Sequence, residues 1–248
     1  MKYPSKEMPY RIALAGNPNT GKSTLFNTLT GLRQHTGNWP GKTVLCAEGE
    51  YRFQEKNYTV VDLPGTYSLY SNSADEEVAR DYILFEQPDV TIVVLDATSL
   101  ERNLNLALQV LEMSDRVVIC LNMIDEAIRK GIRIHDQKLS SKLGVPVVKT
   151  SARDGKGINE LKKIVTRVAE GRIQTRPYRI RYSEKIEEKI QSIQSQIENI
   201  FGDQLPSRWI ALRLLDGERS MLNALKKRIP KEGAPDGANL KSPYPVEA

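Results

Sequence analysis

Gly16-Asn17-Pro18-Asn19-Thr20-Gly21-Lys22-Ser23 decides the fold. The octapeptide fits G-x-x-x-x-G-K-[ST]. It follows the apolar run Arg11 to Ala15 (RIALA) and opens a stretch with apolar residues at Leu25, Phe26 and Leu29. That spacing predicts strand, loop and helix, the setting in which the motif binds phosphate. Gly16 and Gly21 let the backbone curl until its N–H groups face phosphate oxygens. The helix N-terminus adds partial positive charge. Residues Gly16 to Thr24, namely Gly16, Asn17, Pro18, Asn19, Thr20, Gly21, Lys22, Ser23 and Thr24, are expected to cradle a nucleotide. Lys22 should neutralise the outer phosphates, and the Ser23 hydroxyl should ligate Mg²⁺.

The flanking sequence alternates two periods. Thr43 to Phe53 and Asn57 to Asp62 read as strands joined by the polar turn Gln54-Glu55-Lys56. Val90 to Leu95, Val117 to Leu121 and Val145 to Val148 are apolar runs, as expected of parallel strands covered on both faces. Helical stretches at Glu76 to Phe85, Leu100 to Glu112, Asp136 to Leu143 and Ile158 to Val168 separate them. Alternating strands and helices predict a parallel sheet wrapped on both sides.

After Gly171 the character changes. Ile173 to Arg181 is a basic connector containing Pro177. Ser183 to Ile200 carries Ile186, Ile190, Ile193, Ile197 and Ile200 at helical spacing, with Ser183 as N-cap and Gly202 beyond the end. Pro206 opens a second helix, and Glu218 to Arg228 makes a third. The fold class is therefore α/β: a P-loop NTPase domain of the Ras-like G-domain type with a mostly parallel sheet, followed by a small all-α helical domain. The expected boundaries are 1–172, 180–230 and a disordered tail, 231–248. The helical unit is small enough that it should lean on the first domain.

Composition narrows the function classes. The 248 residues are 40% hydrophobic and 27% charged, ordinary for a globular chain. No apolar run approaches the roughly 20 residues of a membrane-spanning helix. The N-terminus lacks an apolar signal core, so a cytoplasmic location is expected. The net charge of +5 is mild and spread, which suits a phosphate-ligand binder with a solvated Lys-rich surface. Cys46 and Cys120 fit no metal spacing, and His35 and His135 form no cluster. Glu184 and Glu187 share a helix face, and E-x-x-E reads as solvated charge rather than an iron site.

Two later segments bear on the base. Asn122-Met123-Ile124-Asp125 resembles the N-K-x-D motif of GTPases, in which the aspartate accepts from two N–H groups on guanine's edge. Adenine offers no such donor pair and would leave the carboxylate unpaired. Thr150-Ser151-Ala152-Arg153 resembles the S-A-K segment, whose alanine N–H meets the guanine oxygen. Met123 and Arg153 stand where those motifs carry lysine.

Asp62-Leu63-Pro64-Gly65 is D-x-x-G at a strand end. Asp62 should hold an Mg²⁺-bound water, and the Gly65 N–H should sense the γ-phosphate. Thr43, after the loop Arg33 to Lys42, should close over Mg²⁺ in the GTP state. Thr66 follows Gly65 where Ras-like proteins carry a water-positioning glutamine, so hydrolysis should be slow or use another device. Asn19 matches an asparagine of potassium-stimulated GTPases. There K⁺ would be held by Asn19 and by carbonyls of the Gly37-to-Trp39 stretch.

GNPNTGKSTLFNTLTG, HTGNWPGKTV, VDLPGTYSL and the N-M-I-D segment together resemble the cytosolic G domain of FeoB, the bacterial ferrous iron transporter family. VARDYILFEQPDVTIVVLDATSLERNLNLALQVLE and the trailing PSRWIALRLLDGE are similar to it too, so the resemblance covers residues 10 to 228. It implies GTP and GDP as ligands, Mg²⁺, and slow GTP hydrolysis. It also implies a helical GDI or spacer domain and a membrane transport domain of the same polypeptide that carries Fe²⁺. That would place the chain at the inner face of the bacterial membrane, with self-association a further expectation. A second reading is a potassium-dependent GTPase of RNA modification or ribosome assembly, which shares G-x-P-N-x-G-K-S. It would want a G-x-x-G loop, stacking aromatics or a basic stripe, and the helical tail instead mixes Glu with Lys. Nucleic acid is accordingly not an expected partner. A third reading, a non-hydrolysing GTP-dependent binding module, fits the missing glutamine.

Overall fold

The computed structural model describes residues 8–31, 34–38, 44–70 and 73–228. The chain divides into two units, Met1–Tyr178 and Arg179–Ala248.

In the first unit the order is β1 (Tyr10–Gly16), α1 (Lys22–Thr30), β2 (Gln34–Asn38), β3 (Leu45–Phe53), β4 (Lys56–Asp62) and α2 (Ala74–Asp81). A π-helical turn, Tyr82–Glu86, leads to β5 (Val90–Asp96), α3 (Leu100–Met113), β6 (Val117–Asn122) and α4 (Ile124–Arg129). Then come α5 (Asp136–Leu143), β7 (Val147–Lys149) and α6 (Ile158–Ala169). The strands form one seven-stranded sheet in the order β2-β3-β4-β1-β5-β6-β7. β1 runs parallel to β4 and β5, β5 to β6, and β6 to β7, whereas β3 is antiparallel to both β2 and β4.

The apolar runs explain the centre of this sheet. Every residue of Val90–Leu95 and Val117–Leu121 is buried. A core of Leu25, Phe26 and Leu29 from α1 and Leu161, Val165 and Val168 from α6 joins side chains of the central strands, including Ile12, Leu14 and Ile92. Tyr10, Tyr58 and Tyr51 stack across β1, β4 and β3, with ring centroids 5.6 and 4.7 Å apart. Because β1, β4, β5, β6 and β7 are parallel, their carboxyl ends share one edge, where open α/β sheets bind ligands.

The structure departs from the sequence reading in four places. Gln34–Asn38, expected within a loop from Arg33 to Lys42, is an edge strand pairing antiparallel with β3. QHTGN has no apolar alternation, so only backbone pairing makes it a strand. The hairpin turn is two residues rather than three: Gln54 and Glu55 have φ of 48° and 63°, and Lys56 already pairs with Phe53. The helix expected to Phe85 gives way to the π-helical turn at Tyr82. The six-residue α4 carried no periodic signal. Trp39, Thr43 and the 231–248 tail lie outside the described residues.

The second unit holds α7 (Glu184–Phe201), a 3-10 turn at Gly202–Gln204, α8 (Ser207–Leu215) and α9 (Arg219–Lys226). Ile190, Ile197, Trp209, Ile210, Met221 and Leu225 are buried in it. Ser183 occupies the N-cap position of α7 without a side-chain cap bond. The carboxylate of Glu187 instead accepts the Tyr182 N–H at 2.9 Å. Among the described residues, no helix is long and apolar enough to cross a membrane.

Candidate functional site

The loop between β1 and α1 is packed too tightly for other residues at its glycines. A Cβ on Gly16 would lie 2.8 Å from the Val94 carbonyl oxygen. Gly21 has φ +78°, and a Cβ there would lie 2.4 Å from Asn122 Nδ2. Thr20 closes the loop by donating to the Asn17 carbonyl at 2.9 Å. Asn19 is exposed with φ 65°, a left-handed backbone that asparagine tolerates. That is a conformational reason for asparagine independent of any cation.

The Lys22 ammonium is buried and donates to the Asp62 carboxylate and, at 2.5 Å, to the Leu63 carbonyl. A buried ammonium requires such partners. Ser23 Oγ lies 3.4 Å from the other Asp62 oxygen. The Thr66 N–H donates to the Gly16 carbonyl at 3.2 Å, and a Cβ on Gly65 would meet Pro18 at 3.4 Å. The segment after β4 therefore rests directly on the phosphate loop.

A small cavity opens beside it, lined by Gly21, Thr24, Asn122, Met123, Asp125 and Ala152, with Glu126, Ser151 and Arg153. Asn122 ends β6 and ties three segments together. Its Nδ2 donates to the Thr20 carbonyl at 2.9 Å, and its Oδ1 accepts from Thr150 Oγ1 at 3.2 Å and from the Ala152 N–H at 3.0 Å. The last bond differs from the sequence reading, which left that N–H to a guanine oxygen. Met123 has φ 59°, and its Cε lies 3.4 Å from the position of a Gly21 Cβ, so its apolar chain leans on the phosphate loop.

Asp125 is held by arginines. Arg129 and Arg153 each place Nη2 3.2 Å from its Oδ2. Desolvation works to raise the Asp125 carboxyl, but hydrogen bonds from Ser151 and the backbone, with the two guanidinium charges, outweigh it. The result lies below the usual carboxylate range.

Lys22, Ser23 and Asp62 thus meet at one point, with Gly65 against Pro18 of the same loop, and Asn122, Met123, Asp125, Ser151, Ala152 and Arg153 meet at a second, joined through Asn122 and Gly21. Gly37 lies on β2, where it pairs with Cys46 of β3, and β2 stands three strands from β1 in the sheet. Sequence reasoning gave Thr150 no role of its own and missed Arg129 and Thr28, whose Oγ1 donates to the Ala152 carbonyl at 3.0 Å. Only the i+4 spacing of Arg129 from Asp125 was there to be read. In the helical unit Glu187 of the E-x-x-E pair is engaged by Arg208 at 2.6 and 2.9 Å.

Comparison with known proteins bears on what this edge binds. Residues 10–165 match the family described as ferrous iron transport protein B, and residues 182–240 match the FeoB cytosolic helical domain. The chain is 42% identical over 215 residues to the Fe(2+) transport protein A/Fe(2+) transporter FeoB fusion protein of Porphyromonas gingivalis, covering 85% of this chain and 26% of that one. It is 40% identical over 218 residues to the Fe(2+) transporter FeoB of Escherichia coli (strain K12), covering 84% and 27%. It therefore spans about a quarter of the length of these relatives. The cytosolic domain of the T. maritima FeoB iron transporter in a GDP form superposes with a TM-score of 0.81 at 36% identity, covering 93% of this chain and 89% of that one. Its GMPPNP form gives 0.79 at 36% identity, covering 92% and 90%.

Proposed function

The chain belongs to the ferrous iron transport protein B family, and on that footing we propose that it is the GTP-binding and GTP-hydrolysing regulatory part of an Fe²⁺ transporter. The observation that carries this reading is the double meeting at the sheet edge: an ammonium, a hydroxyl and a carboxylate at the phosphate loop, and a base-sized cavity with a carboxylate beside it. Asn122 locks the two together.

In this reading Lys22 leaves Asp62 and Leu63 for phosphate oxygens, and loop N–H groups from Asn17 to Thr24 receive the rest. Asp125 accepts from the guanine edge, and Ala152 exchanges Asn122 for the guanine oxygen. Ser23 and Asp62 are hard oxygen donors already side by side, so they fit Mg²⁺, with Thr43 as the further donor expected from sequence. The metal would supply neutralisation of charge on the phosphate oxygens. Gly65, resting on Pro18, is placed to report on the outer phosphate. Asn19, with carbonyls of Gly37 and Trp39, is the proposed K⁺ site. Nucleotide chemistry belongs to residues 1–172, and 180–230 form the helical GDI or spacer domain. The partner is a membrane transport domain of the same polypeptide, at the inner face of the bacterial membrane. Family membership favours this over a GTPase acting on RNA.

Competition binding tests it. GTP and GDP should displace a fluorescent GDP analogue where ATP does not, and phosphate release should follow GTP addition. Asp125→Asn turns one acceptor into a donor and should move preference from guanosine to xanthosine nucleotides. Equal competition by ATP, or a variant that still prefers guanine, would overturn the assignment.

A further inference from the structure

Asp125 is the base reader of the proposed function, yet its Oδ2 is already taken twice, by Arg153 and Arg129 at 3.2 Å each. The two arginines come from different sides. Arg153 lines the cavity beside Gly21, Asn122 and Met123. Arg129 reaches the same oxygen from the next turn of α4, outside the lining residues described. The donor opposite, the Ala152 N–H, is engaged by Asn122 Oδ1 at 3.0 Å. Both reading groups are thus satisfied by the chain itself, and a guanine must exchange protein partners for its own.

We propose that Arg153 sets nucleotide affinity by competing with the guanine N1–H and N2–H donors for the Asp125 carboxylate. The inference rests on Asp125 being the base reader. Net affinity is the difference between the bonds made in the complex and those broken in the free protein. Whatever holds Asp125 in the free state therefore weakens binding. The Arg153 side chain is 70% exposed, so its pair with Asp125 belongs to the weak class of surface ion pairs. Its removal should tighten binding about two- to fivefold. Arginine suits the task because its guanidinium is planar, always charged and less hydrated than the ammonium of a lysine at this position.

The experiment measures dissociation constants and release rates of a fluorescent GDP analogue at fixed ionic strength for the full chain. The variants are Arg153→Gln, Asp125→Ala and their double. The expected result is tighter binding in Arg153→Gln, slower release, and no tightening when the same change is made on Asp125→Ala. Raising salt should narrow the gap between wild type and Arg153→Gln, because the competing pair is screened. Weaker binding in Arg153→Gln would mean that the guanidinium touches the nucleotide, and would overturn the proposal. Equal tightening on the Asp125→Ala background would also overturn it, by making Arg153 a remote charge. Failure of the underlying reading shows separately: Asp125→Ala would retain the wild-type preference for guanine, whatever Arg153 does.

Discussion

Gly21 carries two constraints at once. Its φ of +78° is a backbone that side chains rarely adopt, and its missing Cβ leaves room for Asn122 Nδ2, which would otherwise sit 2.4 Å away. That amide is bonded to the Thr20 carbonyl, so it cannot retreat without breaking the tie between β6 and the phosphate loop. Gly21→Ala should therefore combine backbone strain of about 1–3 kcal/mol with loss of the tie. The expected outcome is a fall in GDP affinity of at least about tenfold by titration calorimetry, with a lower melting temperature. A variant that binds like wild type would mean that Asn122 does not position the loop. The motif made Gly21 and Lys22 legible from sequence alone. The work of Asn122 was not, because its partners lie 102, 28 and 30 residues away and nothing in N-x-x-D names them.

At the scale of elements, α7 illustrates what periodicity delivers. Isoleucines three and four apart predicted it to within a residue of each end, and Ile190 and Ile197 are its buried face. Ser183 takes the N-cap position as its residue type predicts, but its hydroxyl makes no cap bond, and the Glu187 carboxylate accepts the Tyr182 N–H just before it. That carboxylate, Glu187, is pulled down to about 2 from 4.5 by hydrogen bonds from Arg208 first and the Tyr182 N–H second. The sign follows: its contribution to stability is full above about pH 4.5 and is lost as the pH falls towards 2. Both side chains remain partly in water, 20% for Arg208 and 26% for Glu187, so screening holds the contribution to about 1 kcal/mol or less. Glu187→Gln should lose this much at neutral pH, and the gap to wild type should close on acidification. Urea unfolding followed through Trp209, in a Trp39→Phe background, measures it. A gap that does not depend on pH would remove the ion pair as its cause. β2 and α4 stayed invisible for the opposite reason: a five-residue edge strand and a six-residue helix are too short, and too polar, to show a period.

At the scale of the whole molecule, sequence patterns implied a parallel sheet but not its order. That order decides what can meet at the carboxyl edge. It brings the ends of β1, β4, β6 and β7 together, and it sends Gly37 to the far side, on β2. Three strand spacings of ~4.8 Å separate β2 from β1, roughly 14 Å in all. A potassium ion shared by Asn19 and the Gly37 carbonyl therefore calls for the end of β2 and the phosphate loop to approach each other. The nucleotide's outer phosphate is the group whose charge would repay that change. Thr66 cannot orient a water as glutamine does, and charge building on the phosphate oxygens during transfer calls for a positive partner. The ion should consequently act on turnover and not on GDP binding. GTP hydrolysis should be slow in sodium and faster in potassium at equal ionic strength, by on the order of ten- to a hundredfold. Asn19→Ala should erase the difference; the left-handed φ of 65° costs alanine about 1–2 kcal/mol, and any resulting loss of GDP affinity should be the same in both salts. Phosphate release measured for both proteins in both salts decides the matter. Wild-type turnover indifferent to the cation would leave Asn19 as the turn residue its φ of 65° already explains.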